Sequence, residues 1–242
     1  MTKRYQIVAA SAAATLEETL LYQSLLKLNH DNYDVGLDVT TSNQQGLAAL
    51  YNAKLDEYQD IDYIIFCHDD ITIEDALLYE KVAQAIGEHS NFSVCGVAGT
   101  RECVIGEKNL WHWMYKGFGT NAPQPFSGAV AHYIGRDNSQ CHVTNFGPTP
   151  QRCALLDGVF LAVNVKDLQS KKVRFDDNYP SKFHFYDLDF SLECNQAGLM
   201  LTTWPIWLIH ASGGLSSTKN EQWAAGNQYF IDKWTRLLGA GS

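Results

Sequence analysis

The sequence has no Cys-x-x-Cys pair among its six cysteines, which argues against a structural zinc knuckle. It also has no cluster of lysine or arginine, and its formal net charge is -9. A broad nucleic-acid surface is therefore not expected, because such surfaces neutralise phosphates with basic side chains. A small, local nucleotide pocket is compatible with this charge.

Long apolar segments are absent as well. No run reaches the ~18 apolar residues that indicate a membrane-spanning helix, and the residues after Met1 contain no apolar stretch of the kind found in signal peptides. We therefore expect a cytoplasmic protein with reduced thiols, in which peripheral contact with the inner face of the membrane stays open. The sequence does not predict an oligomeric state.

The 242 residues are 45% hydrophobic and 19% charged, which is enough apolar material for a packed core. Over the first hundred residues, predicted strands at 5–11, 35–41, 61–67 and 92–98 alternate with predicted helices at 15–28, 45–55 and 74–87. This alternation predicts an α/β fold with a mostly parallel sheet and helices on both faces. Ligands of such sheets bind at the carboxyl ends of the strands.

The alternation stops after Gly99. Residues 100–150 are rich in Gly, Pro and aromatic residues, which predicts loops and short antiparallel strands. Further on, we predict a strand region at 154–165, a helix at 184–197, a strand at 201–209 and a closing helix at 220–238. No repeat or low-complexity linker interrupts the chain, so residues 1–242 are predicted to form one domain.

His68, Asp69 and Asp70 directly follow the apolar strand that ends at Cys67. An extended backbone alternates its side chains, so His68 and Asp70 point one way and Asp69 the other. A carboxylate with an imidazole can hold a divalent metal such as Mg²⁺ or Mn²⁺. The alternative is an acidic loop that caps the following helix.

Asp187 falls in the first turn of the predicted helix at 184–197. The helix dipole is expected to keep its carboxylate ionised near neutral pH, as a general base requires. The alternative is ordinary helix-start chemistry, because Asp is common there.

Two further segments follow apolar strands. His210 precedes Gly213 and Gly214, a pair that favours a tight or closing loop, and Asp157 with Gly158 is most simply a turn. Alone, each of these signals is weak.

The order of these motifs along the chain resembles the inverting family 2 glycosyltransferases of the GT-A fold. It resembles more narrowly the bacterial family 2-like group in which the usual Asp-x-Asp becomes His-x-Asp. The similarity covers nearly the whole chain and includes the segment 46–53, Phe175-Asp176, the segment 183–190 and Gly198.

The resemblance implies roles for individual residues. Asp70, His210 and His68 are implied for the metal, although His68 replaces an Asp and is implied for either metal or ribose. Asp187 is implied as the catalytic base, with Tyr186 in place of the usual Glu and Glu193 where Arg is common. The nucleotide is implied to lie near Ser11, Asn43, His68 and Asp69.

Contacts with the acceptor or the donor sugar are implied for Asp157 and Gly158. Trp111 and Trp113, with Tyr115 and Phe118, form either an aromatic acceptor platform or the core of an insert. The resemblance further implies a nucleotide-sugar-binding half at 1–100 and an acceptor-side, catalytic half at 101–242.

The implied activity is transfer of a sugar, with inversion, from a nucleotide-diphospho-sugar to a hydroxyl acceptor. The donor is expected to be UDP-linked, the cofactor to be Mn²⁺ or Mg²⁺, and the product to be a surface glycan. Lys219 is either a diphosphate contact or an exposed lysine.

Three alternatives stay open. A nucleotidyltransferase would need a basic, Gly-rich loop after the first strand, but Ala9 to Ala14 contains neither Lys nor Arg nor Gly. A catalytically inactive GT-A-like module would bind a sugar nucleotide without turnover. A metal hydrolase would release product with no acceptor present.

Overall fold

The computed structural model describes residues 2–106, 109, 111, 124–134, 139–211 and 221–239. Trp113, Tyr115, Phe118, Gly213, Gly214 and Lys219 lie outside the described residues. Within the described ranges the strands are β1 Arg4–Ala10, β2 Asp34–Thr40, β3 Tyr63–Cys67, β4 Ile71–Ile73, β5 Val94–Gly96, β6 Ala98–Thr100, β7 Phe126–Ile134, β8 Gln140–Gly147, β9 Gln151–Cys153, β10 Leu155–Leu156, β11 Phe160–Asn164, β12 Leu201–Thr203 and β13 Leu208–His210. The helices are α1 Leu20–Leu25, α2 Leu47–Glu57, α3 Leu78–Ile86, α4 Val165–Lys171, α5 Tyr186–Gln196 and α6 Glu221–Gly239, with a 3₁₀ turn at Leu16–Glu18.

A seven-stranded sheet has the order β2-β1-β3-β11-β5-β12-β9. β1 pairs in parallel with β2 and β3, and β5 pairs in parallel with β12. β11 runs antiparallel to β3 and β5, and β9 runs antiparallel to β12. Five of its strands therefore share one direction, in agreement with the predicted mostly parallel sheet.

A second, six-stranded sheet has the order β10-β6-β7-β13-β4, with β8 paired to β7. Its pairs are antiparallel except for β7 with β13. The long β7–β8 hairpin lies in the stretch where only short antiparallel strands were predicted.

Alternate residues of each central strand pack on opposite faces of the seven-stranded sheet. Ile7 and Ile65 contact the cluster that contains side chains of α1, α3 and α6. Val8, Ile64 and Phe66 contact the cluster that contains side chains of α2, α4 and α5. Helices therefore cover both faces of this sheet. Strands that are buried on two sides are expected to be apolar throughout, as β3 is.

Several helices and strands are shorter than predicted, or are divided into two elements. The helix predicted at 15–28 begins as a 3₁₀ turn, and Thr19 then caps the short α1 by accepting a hydrogen bond from the Tyr22 amide at 3.2 Å. The regions predicted as strands at 92–98, 154–165 and 201–209 each divide between the two sheets. β4 and α4 were not predicted. No described helix is long and apolar enough to cross a membrane.

Candidate active site

The segment His68-Asp69-Asp70 connects β3 of the first sheet to β4 of the second. The His68 amide donates to the Val159 carbonyl at 3.2 Å, and the Ala211 amide donates to the Asp70 carbonyl at 3.0 Å. Backbone hydrogen bonds therefore hold both ends of the segment. His210 ends β13, beside β4.

His68, Asp70 and His210 converge on one point. His68 Nδ1 lies 3.2 Å from His210 Nε2, and His210 Nε2 lies 3.2 Å from Asp70 Oδ1. His68 Nδ1 lies 3.8 Å from the same carboxylate oxygen. Ligands bound at about 2.1 Å and at right angles lie about 3 Å apart, so this donor set fits a divalent metal.

The electrostatics of this group of residues favour an ionised Asp70 and a neutral His68. Burial opposes ionisation of Asp70, but the hydrogen bond from His210 and the attraction of both histidines outweigh it, so the pKa of Asp70 lies below its ordinary value. Burial and the neighbouring His210 lower the pKa of His68. Both forms are those that bind a metal.

Asp69 is not a member of the group of His68, Asp70 and His210, here called the metal-type cluster, and accepts a hydrogen bond from the Ser11 hydroxyl. The Ala13 amide donates to Ser11 Oγ at 3.0 Å, and the Asn43 amide donates to the Ser11 carbonyl at 2.8 Å. Ser11, Asn43 and Asp69 line a cavity of about 370 Å³, here called the Ser11 cleft. His68, Asp70 and His210 lie on its wall.

A second cavity of about 160 Å³, here called the Asp187 cleft, is lined by residues that include Asp157, His184 and Asp187. His68 and Phe183 line both clefts. Burial lowers the pKa of His184, so its imidazole is neutral near pH 7.

Asp187 is in the first turn of α5, and its Oδ2 accepts a hydrogen bond from the Gly158 amide at 2.9 Å. Burial and repulsion from Asp157 raise the pKa of Asp187 to about 7, although backbone amides of Gly158 and Leu188 oppose this. The amides of the helix start thus favour the carboxylate, as expected, but burial and Asp157 outweigh them. A pKa near 7 still suits a general base.

Asp157 is held by two donors, the Trp111 indole at 2.8 Å and the Val159 amide at 2.9 Å. Gly158 is more than a turn residue, because a Cβ there would lie 2.2 Å from Tyr186 Oη. The missing side chain lets α5 approach this loop closely.

The sequence did not predict the contact of Tyr186 with His68. Its hydroxyl lies 3.2 Å from His68 Nε2 and 3.2 Å from the Gly158 carbonyl. Phe183 as the shared wall of the two clefts was also not predicted, although both residues belong to the segment 183–190.

Comparisons with known proteins identify the family of this chain. The model of a glycosyltransferase like family matches residues 6–233. The chain belongs to this glycosyltransferase-like family. No curated protein matches the chain.

The chain is also similar to solved structures, one of which is a mannosyltransferase. Mannosyltransferase PcManGT from Pyrobaculum calidifontis, in complex with GDP-Man and Mn²⁺, is 9% identical with a TM-score of 0.50, over 89% of this chain and 59% of that chain. GalNAc-T7 with UDP, GalNAc and Mn²⁺ is 11% identical with a TM-score of 0.53, over 87% and 44%. S. aureus TarS is 11% identical with a TM-score of 0.47, over 96% and 73%.

The present chain thus spans less than two thirds of the first two proteins. At these identities the likeness shows the fold alone, and the predicted GT-A fold of this glycosyltransferase-like chain is confirmed.

Two further residues singled out from the sequence have partners within the described ranges. Trp111 is buried against Phe126 and Phe146 and also lines the Asp187 cleft. Glu193, which stands where Arg is common, forms a 2.8 Å ion pair with Lys233 of α6. This explains its charge without a ligand.

Proposed function

We propose that the protein is a metal-dependent, inverting glycosyltransferase that moves a sugar from a nucleotide-diphospho-sugar to a hydroxyl acceptor. One observation carries this proposal. The metal-type cluster of His68, Asp70 and His210 lines the Ser11 cleft, and its His68 also lines the Asp187 cleft.

The Ser11 cleft is proposed as the donor site. Its lining comes mostly from residues 10–70, which supports a nucleotide-sugar-binding half at 1–100. Asp69 and Ser11 would contact the nucleoside, and Asn43 lies beside them. UDP is the proposed nucleotide, although PcManGT carries GDP-Man and GalNAc-T7 carries UDP.

Asp70, His210 and His68 would hold Mn²⁺ or Mg²⁺ next to the diphosphate. A bound metal there supplies charge neutralisation for the leaving nucleoside diphosphate. Both PcManGT and GalNAc-T7 were solved with Mn²⁺, which supports manganese as the first metal to test.

The Asp187 cleft is proposed as the acceptor site, lined mostly from the half at 101–242. Asp187 takes the proton of the acceptor hydroxyl as that oxygen attacks the anomeric carbon and the bond to the diphosphate breaks. A single displacement of this kind inverts the configuration and needs a base but no protein nucleophile.

Calorimetric titration with UDP, GDP and their sugars, with and without Mn²⁺, tests the donor site. We expect at least one of these nucleotides to bind only with metal and to raise the thermal midpoint, because a ligand of the folded state stabilises it. Asp70→Ala should abolish the metal effect, and the exposed Asp60→Ala should not. Absence of binding by any nucleotide, with any metal, contradicts the proposal.

Catalysis is tested with Asp187→Asn. The variant should bind the donor as the wild type does, while release of the nucleoside diphosphate in the presence of acceptor falls by about 10²–10⁴-fold. Normal turnover by this variant would remove Asp187 from the mechanism. Donor binding without turnover in the wild type would instead identify an inactive binding module.

A further inference from the structure

Tyr186 is the first residue of α5, and its ring is buried. The ring packs edge-on against the ring of Tyr51, with 5.7 Å between the ring centroids, and its centroid lies 6.4 Å from that of Phe175. These contacts fix the hydroxyl between the His68 ring, 3.2 Å away at Nε2, and the Gly158 carbonyl, also 3.2 Å away.

A hydrogen-bond count decides how the proton of this hydroxyl is used. A phenol has one proton to donate, and a carbonyl oxygen can only accept. When Tyr186 donates to Gly158, its oxygen faces His68 Nε2 as an acceptor. Both contacts are satisfied together only if His68 carries its proton on Nε2.

The other tautomer satisfies fewer groups. With the proton on Nδ1, Tyr186 would donate to His68 Nε2 and leave the Gly158 carbonyl facing the phenol oxygen, acceptor against acceptor. The Nδ1 proton would then point at His210 Nε2, 3.2 Å away, which carries the proton that it donates to Asp70, so two donors would face each other. Asp70 Oδ1 is 3.8 Å from Nδ1, beyond hydrogen-bond distance.

We propose that Tyr186 is a positioning residue that fixes His68 in the Nε2-protonated tautomer, so that the lone pair of Nδ1 faces Asp70 and His210. Resting on the proposed function, this makes Tyr186 the residue that orients His68 as a metal ligand rather than as a ribose contact. Partners of a ligating histidine act this way by fixing its tautomer and ring orientation.

The loop before β11 allows Tyr186 to approach closely, because Gly158 in this loop has no side chain. A Cβ on Gly158 would lie 2.2 Å from the Tyr186 hydroxyl and 2.7 Å from the ring carbon that bears it. Gly158→Ala therefore displaces the hydroxyl sterically, whereas Tyr186→Phe removes it.

The experiment is long-range ¹⁵N–¹H correlation spectroscopy of histidine side chains in the metal-free protein, with His68 assigned through its missing signals in His68→Gln. The wild type should show a protonated Nε2 and an unprotonated Nδ1. Tyr186→Phe should shift His68 to a tautomer mixture. Tyr79→Phe is the matched control, because Tyr79 Oη also contacts a histidine, His30, at 2.8 Å and away from the cluster.

Mn²⁺ titration of the same proteins gives the second measurement. Tyr186→Phe should bind Mn²⁺ about 10–100-fold more weakly than the wild type, the usual loss when the partner of a metal ligand is removed. Tyr79→Phe should bind it as the wild type does.

An Nδ1-protonated His68 in the wild type overturns the inference, even if Tyr186→Phe fails to fold. An unchanged tautomer in Tyr186→Phe or in Gly158→Ala also overturns it, while leaving the proposed function intact. Conversely, a tautomer change in a protein that binds no Mn²⁺ supports the positioning role and contradicts the proposed metal dependence.

Discussion

Asp157 and Asp187 line the same cleft but are suited to different tasks. Asp157 uses its Oδ2 for the Trp111 indole and its Oδ1 for the Val159 amide. Asp187 is raised to a pKa of about 7 by burial and by the charge of Asp157. Asp157 is therefore placed to tune the pKa of Asp187, the proposed base.

The pH dependence of transfer follows from this pair. A base acts in its ionised form, so activity should rise with pH through about 7. Asp157→Asn removes the repelling charge, which should lower the pKa of Asp187 and move the acid limb of kcat to lower pH. The measurement is kcat against pH for both proteins, and an unmoved limb would mean that Asp157 does not control Asp187.

Asp187 also makes folding depend on pH. Its pKa is about 7 in the folded protein and about 3.9 in an unfolded chain, so the folded state holds the extra proton between these values and wild-type stability falls as pH rises from about 4 to 7. Asp187→Asn has no such loss and should be more stable than the wild type at pH 8, on the order of 2 kcal/mol, with a smaller difference at pH 5. Urea unfolding at both pH values measures this, and an equal difference at both would contradict the raised pKa.

His68, Asp70 and His210 were singled out because each follows an apolar run, and the resemblance to family 2 glycosyltransferases implied that they act together. They belong to connections and strands of two different sheets, which strand-end geometry in one sheet does not predict. The contact of Tyr186 with His68 was not readable in this way. It joins side chains 118 positions apart and depends on the exact approach of α5. The raised pKa of Asp187 depends in the same way on burial and on Asp157, which no spacing in the sequence reports.

At the scale of elements, α6 is fixed to α5 by a charged cluster around Asp189. This carboxylate is fully buried and accepts hydrogen bonds from the Trp234 indole at 2.8 Å and the Tyr179 hydroxyl at 2.9 Å. Lys233 of α6 lies 2.9 Å from Asp189, 2.8 Å from Asp176 and 2.8 Å from Glu193. One lysine thus pairs with three carboxylates.

Lys233→Met should lower the free energy of unfolding by about 3–5 kcal/mol, because it leaves a buried carboxylate without its cation. Arg174→Met is the matched control, since the ion pair of Arg174 with Asp56 is exposed and is worth at most about 1 kcal/mol. Urea denaturation of both variants makes the comparison. Equal losses would show that the buried cluster does not hold α6.

Some helices and strands were predicted well from the sequence. β1, α2, β3, α5 and α6 lie within a few residues of their predicted ranges. The predicted regions at 92–98, 154–165 and 201–209 failed as single strands, because apolar residues continue while the chain passes from one sheet to the other. An apolar pattern in the sequence indicates that residues are buried, but it does not indicate to which sheet they belong.

At the scale of the whole molecule, the candidate site lies where the chain passes between the two sheets. His68, Asp69 and Asp70 connect β3 of the first sheet to β4 of the second. Asp157 and Gly158 connect β10 of the second sheet to β11 of the first. The relative placement of the two sheets therefore sets the distance between the metal-type cluster and the Asp157–Gly158 connection, whose Gly158 amide donates a hydrogen bond to Asp187.

Phe183 offers a test of whether the two clefts form one continuous site. It lines both clefts, and 45% of it is exposed. Phe183→Ala should change the free energy of unfolding by no more than about 0.5 kcal/mol, as expected for an exposed position. It should raise the KM for donor and the KM for acceptor about 5-fold each, the effect of losing about 1 kcal/mol of contact.

Trp207→Ala is the matched control for Phe183→Ala, since Trp207 is 41% exposed and lines neither cleft. Steady-state kinetics with each substrate varied in turn should leave both KM values of this control unchanged. If Phe183→Ala raised only one KM, Phe183 would contact only one ligand, and the two clefts would act as separate sites. A joint rise instead means that donor and acceptor meet at Phe183 and His68, within reach of Asp187.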